Sequence, residues 1–336
     1  MKKSFLFLFT VLCVMSFFTA CSDDDDSNKG WESLSKTYEG ENALVVKLGE
    51  SVLPLGNKSV VVNASSAEKA TLTLNNVVPD GQSITMDVAL KQINGIYTFA
   101  GENKTGDCLV ALKGTFEKGK LSLVVDRKMD TAIAGTWKMK ISTDEGGIVA
   151  ANVFVKIETG NPQLDGMANV MAGPVIGQLL LKKVASVQVV LGENGLLGAS
   201  WKSAESGKET DISVYTKALS IQYCVVDGKL MIAVDKAYVE LLKLLNDKLV
   251  QYGLSVDAIT SLLPDLGGYY AVPLDVLESG SDMVFYLSKS LIVPAVQLLS
   301  PILVPSIPEE YKELVTNVLA VLPNAKRLDV GLVFEK

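Results

Sequence analysis

Ile84-Thr85-Met86-Asp87-Val88 alternates apolar with polar side chains, which is typical of a strand that buries one face. Asn94-Gly95 follows, and the chain then continues as a second strand-like run, Ile96-Tyr97-Thr98-Phe99. Asn-Gly between two such runs is a strong short-range signal for a β-hairpin, because both turn residues tolerate a positive φ. This stretch therefore predicts antiparallel β structure in the first part of the chain.

Further short β-rich runs surround this hairpin, and turn residues such as Pro79-Asp80-Gly81 and Lys118-Gly119 separate them. No helical periodicity interrupts the pattern. Short strands at this spacing favour an antiparallel barrel or sandwich-like domain, which we predict over residues 31–128. The remaining strand runs are Ala43–Leu48, Ser59–Val62, Ala70–Leu74, Cys108–Leu112 and Leu121–Val125.

The polar segment Asp126–Asp130 ends this region, and residues 129–336 are predicted to form an α+β domain. Strand-like runs continue there, but Leu164–Val184 is predicted to be helical, with a kink or split at Gly173-Pro174. Asp227-Gly228 marks another two-residue hairpin turn. The predicted fold is therefore mostly β, with helices in a C-terminal strand-and-helix part.

Two C-terminal segments share a weak repeat, in which an apolar strand is followed by a helix-capping residue, a lysine and an apolar helix. The first copy is Leu230–Lys236, and a helix is predicted after it over Tyr238–Tyr252. The second copy is Met283–Lys289, and its helix is predicted over Leu291–Leu303. Asp235 takes the capping position in the first copy, and a serine takes it in the second. Chance similarity between short apolar runs is the alternative.

Met1–Ala20 has the organisation of a secretory signal peptide, in which two lysines precede an apolar stretch and small residues end it. Phe18-Thr19-Ala20-Cys21 resembles the bacterial lipobox, which implies that Cys21 is lipid-modified and becomes the first residue of the mature chain. An ordinary signal peptide or an uncleaved anchor is the alternative. The apolar stretch is, however, shorter than the ~20 residues of a membrane span.

Residues 21–30 are predicted to form an acidic tether, because the like charges of Asp23–Asp26 repel one another and stay solvated. The same run resembles the acidic signal that directs lipoproteins of Bacteroidetes to the cell surface. That resemblance implies a protein anchored by lipid in the outer membrane and facing the cell exterior.

The composition excludes several classes of function. The 336-residue chain has 31 basic and 38 acidic side chains, a formal net charge of −7 and no histidine. An acidic chain without a basic cluster is poorly suited to nucleic acid, whose binding depends on neutralising phosphates. Without histidine, Ser-His-Asp and Cys-His catalysis and imidazole metal sites are excluded. We predict no metal site, no cofactor and no catalytic residue.

Cys108 and Cys224 both lie in apolar strand-like runs. Buried thiols are the usual outcome at such positions. A disulfide between them is the alternative in an oxidising compartment.

A hydrolase that uses two carboxylates, as glycosidases do, is the catalytic alternative that needs no histidine. No spacing singles out one pair, and Asp227 and Asp235 are already explained by a turn and by a helix cap. The available acids are Asp87, Glu102, Asp227, Asp235, Asp265 and Asp275.

Tyr269-Tyr270 follows Gly267-Gly268 and is the aromatic pair best suited to a binding loop, whereas Trp137 and Trp201 are predicted core residues of strands. We predict a groove for an apolar or mixed ligand around the two C-terminal helices, with Tyr269 and Tyr270 at its mouth. The alternative is that the apolar residues of this region only fill the core.

Asp130-Thr131-Ala132 resembles the Asp-Thr-small acceptor for O-glycosylation in Bacteroidetes. The resemblance implies that Thr131 is a candidate modification site, and an unmodified turn is the alternative.

Four places in the chain carry a resemblance to known proteins. They are Leu34–Gly40 with Ala70–Leu74 and Pro79, Gly135-Thr136-Trp137, Val187–Leu191 with Glu193-Asn194-Gly195 and Ala199-Ser200-Trp201, and Ile221-Gln222-Tyr223 with Asp227–Leu230. Together they resemble a family of Bacteroidetes surface lipoproteins that is defined only as a domain of unknown function. The resemblance implies a surface lipoprotein with no established activity and no catalytic residues to carry over. The Gly-x-Trp opening of the second segment is also similar to that of lipocalins.

Taken together, these features predict a surface-exposed outer-membrane lipoprotein that binds a glycan or an apolar small molecule without catalysis. A His-free hydrolase of glycans and a purely structural surface component are the alternatives. A hydrolase would show two carboxyl groups facing each other at about 5–9 Å. A binding protein would show an apolar or aromatic groove instead.

Overall fold

The computed structural model describes residues 30–79, 83–243, 254–304 and 322–336, together with the single positions 250, 309 and 320. The predicted signal peptide, Cys21 and the acidic run of the tether lie outside these residues. The described chain is mostly β, with curled sheets and a few helices in its C-terminal part. The predicted fold class is therefore confirmed.

Nine strands form the first sheet. They are β1 (Lys36–Glu39), β2 (Leu44–Leu48), β3 (Ser51–Val52), β4 (Ser59–Ser66), β5 (Lys69–Asn75), β6 (Ile84–Ile93), β7 (Ile96–Thr105), β8 (Cys108–Glu117) and β9 (Lys120–Met129). Their order across the sheet is β1-β4-β5-β6-β7-β8-β9-β2-β3. Neighbouring strands are antiparallel, except that β2 runs parallel to β9 with Leu44 beside Leu121.

The hairpin predicted from the alternating stretch is formed by β6 and β7. Ile93 pairs with Ile96 across Asn94-Gly95, whose φ values are 51° and 78°. Every second residue from Ile84 to Leu90 is buried, so the alternation in the sequence matches the buried face of the sheet. Most buried side chains of this sheet form one apolar cluster.

The second sheet is built from ten strands. They are β10 (Gly135–Met139), β13 (Val153–Glu158), β14 (Val184–Leu191), β15 (Leu197–Ser203), β16 (Glu209–Asp211), β17 (Gln222–Val226), β18 (Lys229–Asp235), β19 (Tyr269–Ser279), β20 (Asp282–Ser288) and β21 (Arg327–Glu335). A separate two-stranded ribbon, β11 (Ile141–Thr143) and β12 (Val149–Ala151), joins β10 to β13.

The order of the second sheet is β16-β15-β14-β10-β21-β20-β19-β18-β17, and β13 also pairs with β21. The turn before β15 returns to the start of β17, where Leu196 forms an isolated bridge with Gln222. The Tyr223 amide donates to the Gly195 carbonyl at 2.8 Å beside this bridge. The two ends of the curled sheet therefore meet at one point.

Five α-helices are described, all after the first sheet. They are α1 (Pro162–Leu181), α2 (Ser213–Ala218), α3 (Lys236–Lys243), α4 (Val256–Thr260) and α5 (Lys289–Leu303). The predicted helix at Leu164–Val184 is α1, which continues through Pro174 without a break. No helix in the described ranges is long and apolar enough to cross a membrane.

Both copies of the weak repeat fold as a strand followed directly by a helix: β18 precedes α3, and β20 precedes α5. Asp235 caps α3 as predicted, because its Oδ1 accepts a hydrogen bond from the Ala237 amide at 2.9 Å. Ser288 takes the same position before α5 but makes no side-chain capping bond. Positions 244–249, 251 and 252 of the predicted helix Tyr238–Tyr252 lie outside the described residues.

Candidate functional site

Tyr269 does not lie at the mouth of a groove, so that part of the predicted site is wrong. Its side chain is 0% exposed. Its hydroxyl donates to the Val77 carbonyl at 2.7 Å and accepts from the Gln222 amide at 3.3 Å. Tyr269 therefore belongs to the contact between the two sheets.

The glycines before Tyr269 explain this position. A Cβ on Gly268 would lie 2.6 Å from the Asn76 carbonyl oxygen, and one on Gly267 would lie 2.4 Å from the Asn76 side chain. Only glycine allows the second sheet to approach the first so closely. Gly267-Gly268 is therefore a close-packing site rather than the hinge of an exposed loop.

Tyr270 points to the opposite side of β19 and is half-buried. The Lys236 ammonium lies over its ring, 5.1 Å from the centroid, and forms an ion pair with Asp265 at 2.6 Å. Tyr270 therefore stays a predicted ligand contact, but it is separated from its buried neighbour.

A cleft of about 550 Å³ lies at the start of α5, within the volume range of small-ligand sites. Val293 and Pro294 of the helix form part of its wall, and Lys289, Lys326 and Arg327 supply positive charge. Arg327 is engaged by Asp329, with Nε 2.5 Å from the carboxylate. The helix predicted beside the groove does line a cleft, but neither tyrosine contributes to it.

An unusual surface in the described part of the chain is one side of α1, which we call the α1 face. Large apolar side chains recur at intervals of three or four positions and point to solvent, and Val170 is 73% exposed. The α1 face consists of Met167, Val170, Met171, Val175, Ile176 and Leu179. Asp165 is the only charged residue in the helix.

The opposite side of α1 carries small residues and contacts the ribbon and β13. A Cβ on Gly177 would lie 2.1 Å from the Ala151 carbonyl oxygen, and one on Gly173 would lie 2.7 Å from that of Val153. The helix thus packs through glycines against backbone, while its large apolar side chains face outward. This is the reverse of an ordinary surface helix, whose apolar stripe faces the core.

Polar contacts fix the N-terminal half of α1 in this orientation. Asp165 Oδ1 accepts hydrogen bonds of 2.7 Å from both the amide and the hydroxyl of Thr159. These bonds hold the pKa of the Asp165 carboxyl below its usual value. The Asn169 side chain accepts from the Ile157 amide at 2.7 Å and donates to the Ile157 carbonyl at 2.9 Å. The α1 face is therefore held by a firmly anchored helix.

The apolar core of the second sheet is also less closed than that of the first. In the described residues, the second core has 11 buried side chains and 11 apolar neighbours that keep part of their surface exposed. The first core has 25 buried side chains and only six such neighbours. Leu180 and Leu181 of α1 are two of these neighbours. The α1 face therefore continues into a partly open apolar interior.

The acids that could form a catalytic pair are mostly bound to lysines or to hydroxyl groups. Asp235 pairs with Lys58 at 2.5 Å and Asp275 with Lys229 at 3.0 Å. Asp265 likewise pairs with a lysine, and Asp87 accepts a hydrogen bond from the Thr71 hydroxyl at 2.9 Å. Asp227 lies in the β17–β18 turn, and Glu102 is exposed. Among the residues that the structure describes, no cluster of three or more acids or cysteines could hold a metal ion.

The other predicted residues are distributed as follows. Trp137 is a core residue, and its indole donates to the Ile133 carbonyl at 2.7 Å. Trp201, in contrast, is partly exposed on β15. Thr131 is half-buried in the connection between β9 and β10. Cys108 and Cys224 are not joined by a disulfide, and the Cys224 thiol donates to the Pro79 carbonyl at 2.7 Å.

The α1 face was not predicted from the sequence, although the sequence carries a signal for it. Within α1, methionine, valine and leucine lie on one side and glycine and alanine on the other, and Asp165 is the only charged residue. A helix without a charged side cannot bury all its apolar surface against one neighbour. No family model, no curated protein and no solved structure matches the chain, so a functional assignment depends on its own geometry.

Proposed function

We propose that the protein is a lipid-anchored surface protein of the outer membrane that binds an apolar molecule on the α1 face, without catalysis. The α1 face is the observation that carries this proposal. Apolar patches larger than a few hundred Å² are uncommon on soluble proteins and usually mark interaction sites. The anchored helix and the partly open apolar interior beside it supply a preformed binding surface.

The apolar character of the surface favours an acyl or similar chain over a glycan. Glycan sites combine exposed aromatic rings with polar groups, whereas the α1 face holds aliphatic and methionine side chains only. Methionine is flexible and polarisable, and it adapts to ligands of different shape. We therefore expect a ligand with a long aliphatic part.

Replacing Val170, Met171 and Leu179 together by serine is expected to weaken binding of cis-parinaric acid, a fluorescent fatty acid, by about a hundredfold. Burial of three such side chains against a ligand contributes about 3 kcal/mol. A fluorescence titration of the purified protein measures the dissociation constant. All three side chains are exposed, so the substitutions should not alter the core.

The matched control replaces Val52, Ile93 and Leu277 by serine. These side chains are also exposed and apolar, but they lie outside α1. The control variant should bind cis-parinaric acid as the natural protein does. Equal loss in both variants, or no binding by the natural protein, would contradict the proposal.

The lipid anchor and surface location are part of the same proposal, and the lipobox-like Phe18–Cys21 with the acidic run supports them. We expect radiolabelled palmitate to enter the protein in growing cells, and we expect Cys21→Ala to abolish the label. Cys108→Ala is the control and should retain it. Protease treatment of whole cells should remove the protein, and a chain that resists the protease only in intact cells would argue against surface exposure.

The resemblance to surface lipoproteins of Bacteroidetes supports the proposed location. A member of that family would carry its function on the folded part of the chain, while the tether only determines location. We therefore propose that the α1 face is the functional surface of this chain.

A further inference from the structure

Arg127 connects the two sheets through a buried guanidinium. Residues 121, 123, 125, 127 and 129 of β9 alternate into the interior, so Arg127 occupies an inward position next to four apolar ones. It is 7% exposed. Its Nη1 donates to the Gln222 side chain at 2.9 Å, and its Nη2 donates to the Tyr223 carbonyl at 3.0 Å.

The charge of Arg127 is not neutralised within the described part of the chain. Its hydrogen-bond acceptors are an amide, a carbonyl and the sulfur of Met129, all of them uncharged. None of the ion pairs in the described ranges involves Arg127. Its buried Nε has no hydrogen-bond partner. Burying a cation in this way is unfavourable unless an anion accompanies it.

Arg127 lines a cavity of about 240 Å³ between the two sheets. Val78, Val110 and Met129 supply apolar walls, and both cysteines, Cys108 and Cys224, also line it. The cavity therefore combines one cation with mostly apolar surroundings.

Two acids lie at the edge of this cavity. Asp107 and Asp227 are exposed and belong to the β7–β8 and β17–β18 turns. Exposed carboxylates next to the entrance repel anions with more than one charge, such as phosphate or sulfate. A single carboxylate is repelled less and can still reach the buried guanidinium.

We propose that this cavity binds a small monoanionic organic acid, whose carboxylate pairs with Arg127 and whose apolar part lies among the valines and Met129. A guanidinium and a carboxylate form strong charge-assisted hydrogen bonds. At about 30 Å³ for each water-sized group, the volume holds on the order of eight non-hydrogen atoms. Hexanoate and benzoate match this size and are suitable probes.

Isothermal titration of the purified protein with sodium hexanoate and sodium benzoate tests the proposal. We expect binding of at least one acid, and at least tenfold weaker binding of hexan-1-ol and of inorganic phosphate. Arg127→Gln should reduce binding of the acid at least tenfold. The control is Lys183→Gln, which removes an exposed cation that pairs with Glu205 and does not line the cavity; it should bind like the natural protein.

A second variant keeps the test decisive if Arg127→Gln does not fold. Val226→Phe fills the cavity from its half-buried edge, retains the arginine, and should also abolish binding. The bound acid should slow the reaction of Cys108 with N-ethylmaleimide at least threefold in the natural protein and not in Val226→Phe. Absence of binding up to 10 mM of either acid, equal binding of hexan-1-ol, or unchanged binding in a folded Arg127→Gln would overturn the proposal.

The result of the cavity test does not depend on whether the α1 face binds a ligand. The serine variants of α1 should bind hexanoate normally, and Arg127→Gln should bind cis-parinaric acid normally, because none of the residues that line the cavity belongs to α1.

Discussion

Replacement of Asp235 by asparagine is expected to lower the free energy of unfolding by about 3–5 kcal/mol, because it leaves the Lys58 ammonium buried without a counter-ion. Lys58 Nζ lies 2.5 Å from Asp235 Oδ2, and both side chains are 1% exposed. Asparagine can still accept the capping bond from the Ala237 amide, so the loss reports mainly the ion pair. Urea unfolding followed by circular dichroism measures the change.

Two further variants separate the ion pair from other effects. Asp130→Asn removes an exposed partner of Lys104 and should leave the unfolding midpoint unchanged. Lys58→Met combined with Asp235→Asn removes both charges and should recover part of the lost stability. An Asp235→Asn protein as stable as the natural one would show that water solvates the lysine.

This ion pair is one of several polar contacts that hold two curled apolar sheets together. Lys58 also lies 5.2 Å from the centroid of the Tyr269 ring. The Tyr269 hydroxyl contacts Val77, which follows β5, and Gln222 of the second sheet. Gln222 in turn accepts from Arg127. Apolar surfaces can slide over one another, whereas directed hydrogen bonds with buried partners define a single arrangement.

The sequence predicted the elements whose determinants are short-range. The β6–β7 hairpin follows from alternation and from Asn94-Gly95, and α1 follows from a long apolar stretch without strand alternation. Asp235 was identified as a helix cap because the capping residue and the helix are adjacent in the chain. These features need no knowledge of the partner elements.

The contacts between the sheets could not be predicted in the same way. Lys58 and Asp235 are 177 positions apart, and Tyr269 and Val77 are 192 apart. A tyrosine after two glycines indicates a loop when only neighbours are considered, but here the glycines allow one backbone to approach another. The parallel pairing of β2 with β9 could not be predicted for the same reason, because the sequence pattern of a strand does not identify the strand that it pairs with.

The burial of Arg127, in contrast, could have been predicted from its neighbours in the sequence. The alternation of Leu121, Leu123 and Val125 continues to position 127, which places a cation on the buried face of a strand. A buried charge needs a partner. The same alternation that predicted the strand therefore also indicated a place where a ligand or a second domain had to contact it.

Replacing Gly177 by alanine is expected to lower the free energy of unfolding by about 1–3 kcal/mol, because the added Cβ cannot be accommodated where α1 meets the ribbon. That Cβ would lie 2.1 Å from the Ala151 carbonyl oxygen and 3.2 Å from the Ala151 nitrogen. Both are backbone atoms of a paired strand, so they cannot rotate away as a side chain could. The helix must shift outward, which also displaces the α1 face.

Gly166→Ala in the same helix is the matched control. A Cβ at Gly166 meets nothing within 4 Å, and alanine is about 0.5–1 kcal/mol more favourable than glycine inside a helix. Gly166→Ala should therefore stabilise the protein slightly, whereas Gly177→Ala destabilises it and weakens binding of cis-parinaric acid. Opposite signs for one substitution at two positions of one helix would show that backbone contact, and not helix propensity, determines how α1 is held. If both variants were stabilised, α1 would be free to move away from the ribbon, and a preformed α1 face would no longer explain binding.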